Sequence, residues 1–150
     1  MKIKTNSLKE TQKIAVLLAG ELLKEKPSKT GGAFVLALSG ELGSGKTSFT
    51  QGLAQGLGIK ERVKSPSFLL LKKYEIPKTK RSLVHLDCYR LEKFKDLEAI
   101  GFEEFLADPR NIVAVEWADK IKKHLPEENI IFLNLKYSEG QTRAIEIVES

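Results

Sequence analysis

Phe34-Val-Leu-Ala-Leu38-Ser-Gly40-Glu-Leu-Gly-Ser-Gly-Lys46-Thr47-Ser48, continuing through Phe49 to Leu57 and Gly58, decides the fold. The run Phe34–Leu38 is apolar without interruption, the pattern of a short strand buried on both faces. Gly40–Thr47 matches G-x-x-x-x-G-K-[ST] at every fixed position, and Lys46–Leu57 reads as a helix closing at Gly58. A buried strand, a glycine-rich turn and a helix in this order form a phosphate loop. Gly40, Gly43 and Gly45 let main-chain N–H groups approach phosphate oxygens, and the electropositive helix N-terminus favours the anion. Lys46 would set a charge beside the β- and γ-phosphates, and the Thr47 hydroxyl would ligate Mg²⁺. Ser48 repeats the hydroxyl one residue deeper. The expected ligand is a nucleoside triphosphate, ATP with Mg²⁺. Gly52 and Gly56, four apart on one helix face, are expected to permit close helix–sheet packing.

Outward from this unit, Leu8, Ile14, Leu17, Leu18, Leu22 and Leu23 approximate helical spacing over Ser7–Lys24, and Ser7 with Glu10 has the form of a capping box. Residues 67–76 and 82–87 read as strands joined by a short turn, hence antiparallel. Phe94–Leu106 reads as short helical turns broken at Gly101. Ile112–Val115, Ile130–Leu135 and Ala144–Val148 read as strands, with Gly140 turning the last pair and a short helix over Ala118–His124. Helices interleaved with buried strands predict an α/β fold, a P-loop NTPase-like three-layer sandwich with a mixed sheet, in one domain over residues 1–150.

The 150 residues are 41% hydrophobic and 30% charged, ordinary for a soluble globular chain that buries its own core. No apolar run approaches the roughly 20 residues of a membrane helix, and Met1–Glu10 lacks the apolar centre of a secretory signal. One cysteine and two histidines exclude an internal disulfide and a convincing zinc site. The expectation is a cytoplasmic protein. The net charge of +5 is unevenly spread: residues 60–81 carry eight Lys or Arg against two acids. Such a stretch either faces RNA or an acidic partner, or is the solvated face of a hairpin.

Hydrolysis of a triphosphate needs more than the loop: a carboxylate on the Mg²⁺ side and a group to position water. Two apolar strands deliver acids at their C-terminal ends, where open α/β sheets bind ligands: Ile112–Val115 runs into Glu116, and Leu83–Leu86 into Asp87. Lys46, Asp87 and Glu116 are the candidate catalytic set. Trp117 reads as a core or rim aromatic, His85 as a packed strand histidine, Cys88 as structural, and Arg90 as facing either phosphate or the acids of Glu92–Asp108.

Four motifs in order, Gly40–Thr47, Ser65-Pro66-Ser67-Phe68, His85-Leu-Asp87-Cys-Tyr89-Arg90 and Glu116-Trp117, span most of the chain. Together they resemble the bacterial TsaE (YjeE-type) P-loop ATPases of tRNA threonylcarbamoyladenosine synthesis. The resemblance implies Thr47 and Glu116 as Mg²⁺ ligands, Glu41 to Thr47, with Leu42 and Ser44 among them, as the wrap around the phosphates, and Ser65–Ser67 and Asp87–Arg90 as switch segments, with Asp87 serving hydrolysis. It puts Trp117 beside the nucleotide and Thr11 near the adenine. Ser67 stands where the family more usually has threonine, which keeps the hydroxyl and loses a methyl. The implied activity is weak ATP hydrolysis that supports modification of adenosine 37 in tRNAs reading ANN codons. TsaB and TsaD homologues are the implied partners, and tRNA an indirect or direct one; no DNA or membrane is expected.

Two other classes share a phosphate loop. A small-molecule kinase usually carries an arginine-bearing lid, but Arg62, Arg81, Arg90, Arg110 and Arg143 are dispersed. A regulatory module would sense ATP without turning it over. The N-K-x-D element that reads guanine is missing, which argues against a GTPase.

Overall fold

The structure, a computed structural model, describes residues 1–27, 31–64 and 71–149. Among these, seven strands form one sheet in the order β1-β7-β6-β2-β5-β4-β3. The strands are β1 (Lys2–Thr5), β2 (Phe34–Ser39), β3 (Leu71–Glu75), β4 (Ser82–Asp87), β5 (Asn111–Glu116), β6 (Ile130–Tyr137) and β7 (Arg143–Glu149). The central four, β6-β2-β5-β4, are parallel, and the flanking pairs β3–β4, β6–β7 and β1–β7 are antiparallel. The sheet is mixed, as expected. β3 and β4 form the antiparallel hairpin, although the residues expected to open its first strand, 67–70, lie outside the described ones.

Strand alternation divides the core. Leu36, Leu38, Leu83, Ile112 and Ala114 face α1 (Leu8–Lys24) and α2 (Lys46–Gly56). Val35, Ala37, Val84, Leu86, Val113 and Val115 face α3 (Lys95–Ala99), α4 (Phe102–Ala107) and the 3₁₀ helix Ala118–His124. Helices therefore cover both faces, which is why β2, β4 and β5 read as unbroken apolar runs. Gly101, at φ 78°, separates α3 from α4. No described helix is long and apolar enough to cross a membrane.

Ser7 caps α1 by accepting from the Glu10 N–H at 3.1 Å, while the Glu10 carboxylate accepts from the N–H of Asn6, one residue before the cap position of a regular capping box. Strand β1 was not anticipated. Lys2–Thr5 has one apolar residue and no readable period; it becomes a strand because β7 offers it a free edge, with Ile3 opposite Ile145.

The role expected of Gly52 and Gly56 is corrected. A Cβ on Gly52 would lie 2.6 Å from the Gln12 carbonyl oxygen, and one on Gly56 would lie 2.7 Å from the Ala19 Cβ and 2.8 Å from the Val16 Cα. The close approach is to helix α1, not to the sheet. Two glycines and the small residues Ala15 and Ala19 bring the helix backbones together. Gly52→Val is expected to destabilise the fold by about 1–3 kcal/mol through overpacking against backbone that cannot rotate away. Chemical denaturation would measure it; an unchanged midpoint would mean that α1 shifts without cost.

The basic stretch is on the surface. Lys72 and Lys73 are exposed on the edge strand β3, with Lys72 4.0 Å from Glu61 and its ammonium over the Tyr74 ring. Lysines on an edge strand discourage pairing with another chain. Arg81 turns inward and donates to the carbonyls of Leu22 (3.0 Å) and Glu25 (3.3 Å), placing a cation at the C-terminal end of α1. An exposed basic edge of this kind is compatible with a solvated hairpin and with a face for RNA or an acidic partner alike.

Candidate functional site

The phosphate loop leaves β2 at the centre of the sheet, beside the C-terminal ends of β4 and β5. Register puts Asp87 opposite Glu116, and Glu116 opposite Leu38 of β2. Both acids therefore emerge within one or two residues of the loop's first glycine. Gly40 has φ 144°, and a Cβ there would lie 2.3 Å from the Leu135 carbonyl oxygen of β6; no other residue fits. Gly43 and Gly45 also have positive φ.

A cleft of about 250 Å³ opens over the loop, and Gly43, Gly45, Lys46, Thr47, Ser48, Asp87, Glu116 and Trp117 all line it. With Leu8 of α1 also on its wall, residues separated by up to 109 positions in the chain are brought to one place. Glu116 is 1% exposed, and its Oε1 accepts the Thr47 hydroxyl at 2.8 Å. Its Oε2 is engaged by Nε2 of the fully buried His85. Asp87 lies alongside, its Oδ1 accepting from the Tyr89 N–H at 2.9 Å in a tight local turn.

Lys46 is 5% exposed and folds over its own loop. Its ammonium donates to the carbonyls of Gly40 and Glu41 and sits 3.9 Å from the centre of the Trp117 ring. Burial lowers its pKa, while the negative charges of Glu116, Asp87 and Asp119 act in the opposite direction. Trp117 takes a left-handed backbone conformation (φ 58°), unusual for a bulky side chain. Its ring meets Tyr89 at 5.1 Å, and Lys120 donates to the Tyr89 carbonyl. The aromatic pair thus bridges the phosphate-loop lysine and the segment that follows Asp87.

The oxygen pair of Thr47 and Glu116 suits a hard cation such as Mg²⁺, which takes few protein ligands and completes its shell with phosphate oxygens and water. Buried and beside the phosphate loop, the Glu116 carboxylate has the chemistry of that donor set.

Not every candidate is gathered here. Ser67 lies outside the described residues. Thr11 is fully buried, with its hydroxyl 2.8 Å from that of Thr5 and donating to the Ser7 carbonyl; Leu8, one turn earlier, is the α1 residue that lines the cleft. Glu41 and Leu42 are exposed on the loop, with Leu42 on the cleft wall; Ser44 is buried beneath it, and Arg90 is exposed. Three residues were missed. Leu8 looked like any other position of an amphipathic helix. Tyr89 stood in a quoted motif without a role of its own. Arg143, on β7, donates to the Gly43 carbonyl at 3.5 Å, a placement that no local pattern announces.

Cys88 is fully buried, and its thiol is pushed up to about 12 by burial, with the Asp87 charge adding to the effect. It is expected to resist thiol reagents at neutral pH until the protein unfolds. Modification of the native protein at the rate of a free thiol would contradict this.

Residues 5–145 match the family model for the threonylcarbamoyl adenosine biosynthesis protein TsaE. The chain is 38% identical over 133 residues to the tRNA threonylcarbamoyladenosine biosynthesis protein TsaE of Bacillus subtilis, covering 87% of this chain and 74% of that one. It is 35% identical over 143 residues to the protein of the same name from Rickettsia prowazekii, covering 95% and 90%. The crystal structure of Bacillus subtilis YdiB superposes with a TM-score of 0.73 at 32% identity, over 97% of this chain and 82% of that one. The chain belongs to the TsaE family of threonylcarbamoyl adenosine biosynthesis proteins.

Proposed function

We propose that this protein binds ATP with Mg²⁺ on Gly40–Thr47 and hydrolyses it slowly. In this reading its ATP cycle sustains threonylcarbamoylation of adenosine 37 in tRNAs reading ANN codons, with TsaB and TsaD homologues carrying out the transfer. One observation carries the ATPase reading: the Thr47 hydroxyl and the Glu116 carboxylate, 69 positions apart, meet at 2.8 Å beside the phosphate loop.

The residues divide the work. Lys46 exchanges the neutral carbonyls of Gly40 and Glu41 for phosphate oxygens; the ammonium is charged in both sets of hydrogen bonds, and what the phosphate adds is an opposite charge at close range, which favours the exchange. Thr47 and Glu116 offer two oxygens to the metal. Mg²⁺, when bound, neutralises charge on the β- and γ-phosphates. Asp87 orients water toward the γ-phosphate, and water adds as ADP leaves. Trp117, in contact with the Lys46 ammonium and tilted against the Tyr89 ring, links occupancy of the loop to the segment Asp87–Arg90.

Reconstitution tests the reading: this protein, TsaB and TsaD homologues, ATP and tRNA, scored by modified adenosine and phosphate release. Multiple rounds of modification that require this protein and ATP are expected. Phosphate release that is neither stimulated nor needed would favour an ATP sensor, and acceleration by a nucleoside or sugar would favour a kinase.

A further inference from the structure

We propose that His85 is a positioning residue for the Glu116 carboxylate, a role that rests on the metal-site reading above. His85 and Asp87 project from β4 to the same face of the sheet, and Ala114 and Glu116 do so from β5, with His85 opposite Ala114 and Asp87 opposite Glu116. His85 thus lies one step deeper than the two acids, beneath the first turn of α2, with no exposure to solvent.

Its Nε2 holds Glu116 Oε2, and the Thr47 hydroxyl holds Oε1. The carboxylate is held from below by the sheet and from above by the helix, one partner for each oxygen, which opposes rotation of its plane. Its other ring nitrogen, Nδ1, is buried with no hydrogen-bond partner among the described residues. That arrangement is a poor way to fill space. A leucine would pack there without burying an unsatisfied nitrogen, whereas histidine bears that desolvation at Nδ1 and gains only the contact at Nε2. The contact with Glu116 is what the histidine supplies.

Mg²⁺ demands near-ideal octahedral geometry at short distances, so a carboxylate free to rotate is a poorer ligand than one held in place. Partners that orient a ligating group typically contribute 10–100-fold in metal affinity. With Nε2–H as the donor, His85 does this for Glu116 without touching metal or nucleotide itself.

The test compares His85→Leu, His85→Gln and His85→Asn. A glutamine amide reproduces a donor near the Nε2 position; the shorter asparagine amide does not reach it. MgCl₂ is titrated at fixed ADP, with occupancy read from the emission of Trp117, and ADP affinity is measured separately in EDTA. His85→Leu is expected to raise the Mg²⁺ half-saturation about 10–100-fold, with ADP affinity in EDTA unchanged. His85→Gln should recover most of the loss, and His85→Asn should not. A wild-type titration curve for His85→Leu overturns the role. If His85→Leu fails to fold, equal Mg²⁺ titrations for the Gln and Asn variants overturn it instead. Wild-type ADP binding that ignores Mg²⁺ overturns the metal-site reading and this role together; an intact wild-type Mg²⁺ dependence unaffected by His85 overturns this role alone.

Discussion

Lys46→Ala is expected to lower ATP affinity and turnover together, by roughly 10²-fold or more, the scale on which enzymes depend on one preorganised charge-stabilising donor. Among the described residues, Lys46 is the one cation that lines the cleft. Burial works against its charge, and the acids Glu116, Asp87 and Asp119 work in its favour. Replacing it would leave those acids facing a polyanionic ligand with one positive charge fewer between them. The fold should survive: the Lys46 ammonium bonds to Gly40 and Glu41 within its own loop and is not part of either apolar cluster. Trp117 would report the change, since its ring loses the ammonium at 3.9 Å. Equilibrium ATP binding with phosphate release checks the prediction, and wild-type values for both would refute the loop assignment.

Glu116→Gln should have an effect of similar size on the Mg²⁺ dependence. The amide keeps the side chain's shape and can still accept from Thr47, but it brings neutral oxygen where the metal needs charge. Its NH₂ would also face His85 Nε2, so one donor must give way to another. The expected shift in Mg²⁺ half-saturation is at least the roughly 10–100-fold associated with loss of an orienting partner. Glu116→Ala goes further: it strands the Nε2–H of a fully buried histidine, and a buried donor without a partner costs about 1–3 kcal/mol. The alanine variant should therefore lose stability as well as metal response, and the glutamine variant chiefly the latter. A metal titration with parallel thermal melts separates the two effects; an unchanged titration in both would remove Glu116 from the site.

Part of this fold is specified locally along the chain. The strand Phe34–Ser39, the loop and α2 were legible because each is specified by residues near one another: an apolar run, glycines at φ-demanding positions, and a helix that begins at Lys46. Asp87 and Glu116 were legible as acids at strand ends, since an apolar run terminating in a carboxylate is itself a local pattern. The hairpin of β3 and β4 followed from a turn too short for any crossover. β1 was not legible, because its four residues become a strand only through pairing with β7, more than 130 positions away. The partner of Gly52 and Gly56 was misjudged for a related reason: their spacing shows that something approaches closely, but not whether it is a sheet or a helix.

By itself, then, the chain determined a phosphate loop set between a buried strand and a helix, and two acids carried to strand ends. Both follow from backbone periodicity and glycine stereochemistry, which act over a few residues. Only tertiary structure decided that Glu116 is gripped by Thr47 on one side and His85 on the other, that Lys46 lies over Trp117, and that Arg143 reaches the loop from the last strand. Those contacts depend on strand order and register, and register is set by how entire faces of the sheet are buried. No local pattern of residues encodes it.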